Sequence, residues 1–346
     1  VNKRPPRNGE IVQKIQNTLL IDGNSLFKVG YHGAKDEYNR NGKHVGGLYQ
    51  FITMLRKMLV EDLYHRVYVF WDGDFSGKLR YDIYKPYKIA RGKDYENGTH
   101  PIDESELEQR KLIWEYINEM YIRQLMNEVV EGDDFIGYYC LTKKQNEKIT
   151  IVSNDRDMAQ LISEDVKIYF LDLKVYVDLN NYSDYFNHHQ ENSVLIKTIR
   201  GDISDSIKGI KGVGEKTLLT LFPEIKERKL TINEIIDGAK KQKLERIEKK
   251  QPPLKVLDSI INSITNGVQG DRLYEINDKL VNLKKPLMTE EAIRDLEDLK
   301  NGTLDSSGRD IKNVLMMMER DGLDKIIGDY RYNEYLIPFK KLIGRE

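Results

Sequence analysis

Short apolar runs alternate along the chain with longer stretches in which apolar residues recur at helical spacing. Thr18-Leu19-Leu20-Ile21, Val67-Tyr68-Val69-Phe70-Trp71, Ile149-Thr150-Ile151-Val152 and Val166-Lys167-Ile168-Tyr169-Phe170 read as strands. Val129-Val130 gives a further, shorter strand signal. Between them, Leu48–Leu63, Leu107–Met126 and Asp133–Gln145 carry the spacing of amphipathic helices. This alternation predicts an α/β fold with a mainly parallel central sheet flanked by helices. From about Asn192 the strand signals stop and helical patterns take over, punctuated by Gly212-Val213-Gly214, Pro252-Pro253 and Gly302 to Gly308. The expected organisation is a basic flexible arm over 1–17, an α/β core over 18–190 and a helical region over 191–346.

Composition narrows the setting. The 346 residues carry 55 Lys+Arg against 56 Asp+Glu, a formal net charge of -1. Charged residues make up 32% of the chain and the mean hydropathy is -0.60, as in a water-soluble protein. No run of 18 apolar residues offers a membrane span. The lone cysteine, Cys140, cannot close an internal disulfide, and no Cys/His cluster suggests zinc, so a reducing cytoplasm is the expected location. Near-neutral net charge leaves nucleic acid open as a ligand, because local patches can bind phosphate.

The strand signals feed into acids. Ile21 leads to Asp22-Gly23-Asn24, Trp71 to Asp72-Gly73, Val130 to Glu131-Gly132-Asp133-Asp134, and Val152 to Ser153-Asn154-Asp155-Arg156-Asp157. Asp202 and Asp205 follow where the helical region begins. The C-terminal ends of parallel strands share one edge of the sheet, so these carboxylates are expected to converge on one crevice. A single Asp after a strand serves as a helix cap, but capping does not require Glu131, Asp133 and Asp134 together. Such an anionic cluster is self-repelling unless cations neutralise it. Carboxylates without thiolate or imidazole select Mg²⁺ or Mn²⁺. Two such ions about 3.5–4 Å apart would clamp the attacking and leaving oxygens of a phosphodiester.

Two further segments suit nucleic acid. Lys78, Arg80, Lys85, Lys88, Arg91 and Lys93 share a short stretch with one acid, Asp82, and with Tyr81, Tyr84 and Tyr87. Cations neutralise phosphates and aromatic faces stack on unpaired bases. Pro86 should break any helix there, and the loop around Gly92–Pro101 is expected to be ordered by substrate. Lys208-Gly209-Ile210-Lys211-Gly212-Val213-Gly214-Glu215-Lys216 sits between helical stretches, where glycines let a phosphate approach the backbone. It is a helix-hairpin-helix-like signal, with Gly209, Lys211, Gly212, Gly214 and Lys216 as candidate contacts. A Walker-A reading fails because Gly214-Glu215-Lys216 lacks the Gly-Lys-Ser/Thr ending.

In this order, the motifs Asp22-Gly23-Asn24, Phe70-Trp71-Asp72-Gly73, Glu131-Gly132-Asp133-Asp134, Asn154-Asp155-Arg156-Asp157 and Gly201-Asp202-Ile203-Ser204-Asp205 resemble the flap endonuclease / 5′-nuclease superfamily over about residues 18 to 222. That superfamily includes phage 5′→3′ exonucleases, phage RNase H and the 5′-nuclease domain of bacterial DNA polymerase I. The resemblance implies a first metal site of Asp22, Asp72, Glu131 and Asp133, and a second of Asp134, Asp155, Asp157, Asp202 and Asp205. Asp22, Asp72 and Asp155 are the acids it makes most directly catalytic. Tyr84-Lys85-Pro86-Tyr87-Lys88-Ile89-Ala90-Arg91 resembles the base of the family's helical arch, expected over about 78–125. By that likeness Lys88 and Arg91 touch the scissile phosphate and Tyr87 stacks. Arg80 and Tyr84 join the nucleic-acid-binding set, and the glycine turn grips the duplex, with K⁺ as a further ion there.

The implied activity is metal-dependent hydrolysis at 5′ flaps, nicked or gapped duplexes or RNA primers, in DNA replication or repair. Gly132 replaces the family's usual Ala, Lys208 its usual Pro, and Asp74 is an added acid. The absence of a following polymerase segment favours a phage-type member acting as a monomer in the host cytosol. A single-strand binding protein or sliding clamp is the expected partner class, with Phe339 as a docking tail. Rival readings are a non-catalytic junction-binding protein and a PIN-type ribonuclease, which shares the acidic sheet edge.

Overall fold

A computed structural model describes residues 15–92, 95–96, 103–266, 273–303, 309–323 and 332–342. The expected basic arm up to residue 14 and most of the loop expected to order on substrate lie outside these residues. Six strands form the main sheet: β1 Gln16–Asp22, β2 Arg66–Asp72, β3 Arg123–Asn127, β4 Glu147–Ser153, β5 Val166–Phe170 and β6 Val175–Val177. Their spatial order is β3-β2-β1-β4-β5-β6. All neighbours run parallel except β6, which is antiparallel to β5. The chain builds outward from β1 through β2 to β3, then returns to the other side of β1 for β4 and β5. The switch point, where crossovers diverge and a crevice opens, therefore lies at the C-terminal ends of β1 and β4.

Central strands read as unbroken apolar runs because both faces are covered. Leu19, Ile21, Val67, Val69 and Trp71 point into one core against α1 (Gly23–Gly33), α2 (Gly46–Glu61) and α4 (Glu104–Glu119). Leu20, Tyr68, Phe70, Ile149 and Ile151 point into the other, against α5 (Gly132–Leu141) and the 3₁₀ turn Arg156–Leu161. A third core gathers α6 (Ser193–Arg200), α7 (Glu215–Leu221), α8 (Ile232–Glu248) and α9 (Lys255–Asn266).

The helix expected over Leu107–Met126 is two elements. It ends at Glu119, and Arg123–Asn127 is the edge strand β3, so Val129-Val130 follows a strand rather than forming one. On this edge the pattern is polar, Arg-Gln-Leu-Met-Asn, and gives no apolar run to recognise. As Pro86 suggested, the helix α3 (Lys78–Ile83) stops before it and the backbone turns through Tyr84–Lys88.

The last third of the chain returns to the sheet domain. α11 (Glu290–Asn301) receives Arg66 and Arg123 on the carbonyls of Lys300 and Leu299. α12 (Ile311–Arg320) and the helix Tyr332–Lys340 pack on the α2/α4 side. Phe339 is fully buried there, which removes it as a docking tail. Met318 is core, as the apolar spacing suggested, while Met316 is exposed. None of the described helices is long and apolar enough to cross a membrane.

Candidate metal and nucleic-acid site

Strand ends deliver the acids. Asp22, the last residue of β1, caps α1 by accepting from Ser25 N at 2.9 Å, and its other oxygen accepts from Ser153 Oγ at 2.7 Å across the switch point. Asp72 ends β2 and accepts from Gly132 N at 2.8 Å, tying it to the start of α5. Glu131 and Asp133 enter from that start. Asp155 caps the next turn through Asp157 N at 2.7 Å. These side chains, with Asp205, line one recess of about 290 Å³. The capping and ligand readings thus coexist: one oxygen of Asp22 caps while the carboxylate faces its neighbours.

The recess concentrates negative charge away from water. Burial pushes Asp22 up to about 7 against the hydrogen bonds from Ser25 and Ser153, and repulsion from Asp72 and Asp155 adds to it. Asp133 is raised well above the carboxylate range, by burial first and then by Asp22, Asp155, Asp72 and Glu131. Glu131 goes the other way. Its burial is outweighed by Lys88 and Arg80, which hold it at about 2.

Cations answer this field from two elements, the turn around 88–91 and α6. Lys88 lies on Glu131 from a left-handed backbone position (φ 53°), with its N–H on Asp205 O at 2.9 Å. Arg91 pairs with Asp205. Lys197, on α6, bridges Asp157 and Asp202 and is buried. Asp202 lies off the recess lining but is joined to it through Lys197, and Ser204 N and Oγ donate to it at 2.8 and 2.6 Å. Among the described residues no three acidic, His or Cys side chains meet in metal-coordinating geometry, and lysines lie on Glu131 and Asp157. An all-oxygen donor set whose members are desolvated and mutually repelling nevertheless fits hard divalent cations.

Three expectations change. Asp134 does not face the recess; it is 1% exposed and forms a bidentate pair with Arg80, while Leu287 N donates to it at 2.9 Å. Arg80 is itself 4% exposed and donates to Glu131, Asp134 and Leu280 O, so it is not a nucleic-acid contact. Tyr87 is 2% exposed and donates to Glu131 at 3.0 Å, so its ring is not open for stacking. Tyr84 is half-buried against the same aromatic cluster. The sequence places these residues in one basic aromatic stretch but does not say which of them pack inward.

At the glycine turn, Ile210 and Val213 are buried in the third core and hold the loop outward. Lys211, Gly212, Gly214 and Lys216 are exposed, and Gly212 has φ 78°. Gly209 is required by contact: a Cβ there would lie 1.8 Å from Arg200 O.

Lys197 went unrecognised in the sequence. Leu195, Ile196 and Ile199 mark the core side of α6, and the helical period turns Lys197 away from it, as for an ordinary solvated lysine. Only its spacing of five before Asp202 hinted otherwise. Leu280, Val281 and Leu283 also line the recess, although the C-terminal third showed no chemical motif.

Comparison with known proteins agrees with this geometry. Residues 17–191 match the family model described as 5′-3′ exonuclease, N-terminal resolvase-like domain. The 5′-3′ exonuclease of Halalkalibacterium halodurans is 32% identical over 219 residues, covering 60% of this chain and 69% of that protein. DNA polymerase I of Bacillus subtilis is 29% identical over 255 residues, covering 70% of this chain but only 28% of the polymerase. In fold, the chain is similar to the bacteriophage T5 D15 flap endonuclease, solved as a pseudo-enzyme-product complex with DNA and metal ions. The TM-score is 0.56 at 19% identity, with 88% of this chain and 100% of that one covered. A T5 5′-exonuclease with bound divalent zinc gives a TM-score of 0.57 at 18% identity, over 87% of this chain and 99% of that one. With half its length inside the matched model and the acids at the strand ends, the chain belongs to the 5′-3′ exonuclease family.

Proposed function

We propose that the chain is a divalent-metal-dependent 5′-nuclease that hydrolyses phosphodiesters near single-strand/duplex junctions. The observation that carries this reading is the convergence of Asp22, Asp72, Glu131, Asp133, Asp155, Asp157 and Asp205 on one recess beside Lys88 and Arg91. Asp22, Asp72, Glu131 and Asp133 would hold one ion, and Asp155, Asp157 and Asp205 a second, with Asp202 reached through Lys197. Two Mg²⁺ or Mn²⁺ ions, when bound, would supply polarisation of the phosphate and a hydroxide nucleophile at neutral pH. The chain's own part is to place and neutralise. Lys88 and Arg91 sit at the recess and stabilise charge developing on the phosphate oxygens. The exposed glycines and lysines of the 208–217 turn grip duplex backbone without reading sequence, and K⁺ is the ion suited to those carbonyls.

Relatives named 5′-3′ exonuclease, and T5 structures holding metals and DNA, support the same chemistry. Primer removal, including RNase H action, in replication or repair is the role we assign, with the single-strand binding protein or clamp as the partner class. The test is cleavage of one flap substrate carrying a labelled DNA or RNA 5′ arm, with Mg²⁺ and with EDTA. Cutting near the junction only with Mg²⁺ is expected. Binding without cutting in either condition would instead leave a junction-binding protein, and cutting of RNA alone, away from junctions, a PIN-type ribonuclease.

A further inference from the structure

In the wall of the recess lies a charge network centred on Arg80. Gly77, at φ 89°, turns the chain after β2 so tightly that a Cβ there would lie 3.0 Å from Glu131 Oε1. The following helix α3 sends Arg80 inward. Its Nη1 donates to Glu131 Oε2 at 2.6 Å, its Nη2 to Asp134 Oδ1 at 2.9 Å, and its Nε to Leu280 O at 2.8 Å. One fork therefore serves a recess acid, a buried acid and the end of α10 (Leu273–Val281). Asp134 extends the contact to Leu287 N. Gln160 fixes the same strap twice, donating to Val281 O at 2.9 Å and accepting from Leu283 N at 3.1 Å. From the middle of α10, Asn277 donates to Thr198 O on α6 and to Lys208 O at the start of the glycine turn, both at 2.9 Å.

We infer that Arg80 is a positioning residue for Glu131, with Asp134 as its buried counter-ion rather than a metal ligand, and that it ties the 280–287 strap to the metal recess. This rests on the metal-dependent reading above. The carboxylate of Glu131 has two oxygens and three donors around it: Arg80 on Oε2, Lys88 on Oε1 and Tyr87 on both. Arg80 and Tyr87 are almost wholly buried in the wall of the recess, and Lys88 is the most exposed of the three donors. Arg80 thus holds Oε2 and leaves Oε1 for exchange between Lys88 and an incoming cation. Hydrogen-bond partners of a ligand typically change metal affinity by about 10- to 100-fold when lost.

The experiment is Mn²⁺ binding by titration calorimetry on the full chain, without nucleic acid, well below the melting temperature. R80K keeps the charge but loses the fork, and D134N keeps Arg80 on Glu131. R80K is expected to weaken Mn²⁺ binding about tenfold with the wild-type number of ions at saturation. D134N is expected to keep that number too. Loss of a bound ion in D134N would make Asp134 a ligand and overturn the assignment. So would an R80K chain that melts earlier yet binds Mn²⁺ as the wild type does, which is what a merely structural role gives. If R80K does not fold, the ion count of D134N decides alone. No Mn²⁺ uptake by the wild type would overturn the nuclease reading and this inference together, whereas normal wild-type uptake with unaffected R80K overturns this inference only.

Discussion

Lys197→Met removes the cation between Asp157 and Asp202 while keeping most of the side-chain volume. The three side chains are 9%, 23% and 16% exposed. Breaking a buried pair from one side costs about 3–5 kcal/mol, because the partner charge stays behind uncompensated. Here the two carboxylates keep some water, which brings the expected loss to about 2–3 kcal/mol. At roughly 2–4 °C per kcal/mol, the melting temperature in EDTA should fall by about 4–12 °C. Mg²⁺ should then raise the variant's melting temperature more than the wild type's, since a divalent ion between the same oxygens takes over the neutralisation. The assay is a pair of thermal melts, in EDTA and in saturating Mg²⁺. If the variant matched the wild type in EDTA, or gained no more than it from Mg²⁺, Lys197 would not pair with Asp157 and Asp202 as the structure shows.

Lys88→Ala should slow single-turnover cleavage by at least about tenfold while flap binding changes little; an unchanged single-turnover rate would reject a role in the chemical step. The glycine turn separates two effects. Gly209→Ala drives a methyl into Arg200 O and should lower stability by about 1–3 kcal/mol in urea melts. Gly214→Ala meets nothing within 4 Å, so it should leave stability alone and weaken duplex binding only. Equal stability for the two variants would contradict the packing, and normal duplex affinity for Gly214→Ala would place the backbone contact elsewhere. In EDTA, stability should fall as pH rises. The folded carboxyl of Asp22, at about 7, stays protonated while the unfolded one ionises from about 3.8 upward. The increase in melting temperature from Mg²⁺ should therefore be larger at pH 8 than at pH 5; the reverse order would mean that Asp22 is not desolvated among its neighbours.

The parts of the site legible in the sequence are those whose chemistry needs a residue type at a strand end. Asp22 and Asp72 follow apolar runs directly and Asp155 and Asp157 within a few residues, and a parallel sheet has only one edge on which such ends can meet, so topology alone gathers them. The parts that were not legible depend on which way a side chain turns about its own backbone. Arg80, Tyr84 and Tyr87 form one basic aromatic stretch in the sequence, and nothing in that stretch says that Arg80 and Tyr87 turn inward. What turns them is supplied by residues far along the chain: Glu131 at the N-cap of α5, Asp134 in its first turn, and the Leu280 carbonyl on α10. Lys197 shows the converse. Its place on α6 is outward by helical period, but outward from the third core is inward to the acids of the sheet, because α6 lies between the two. A buried cation can be recognised only together with the anions it answers, and here Glu131 and Asp134 lie 51 and 54 residues from Arg80, and Asp157 lies 40 from Lys197. The same reasoning explains β3 and the strap after α10. Each is placed by what it packs against, an edge of β2 and the back of the recess, rather than by any pattern of its own.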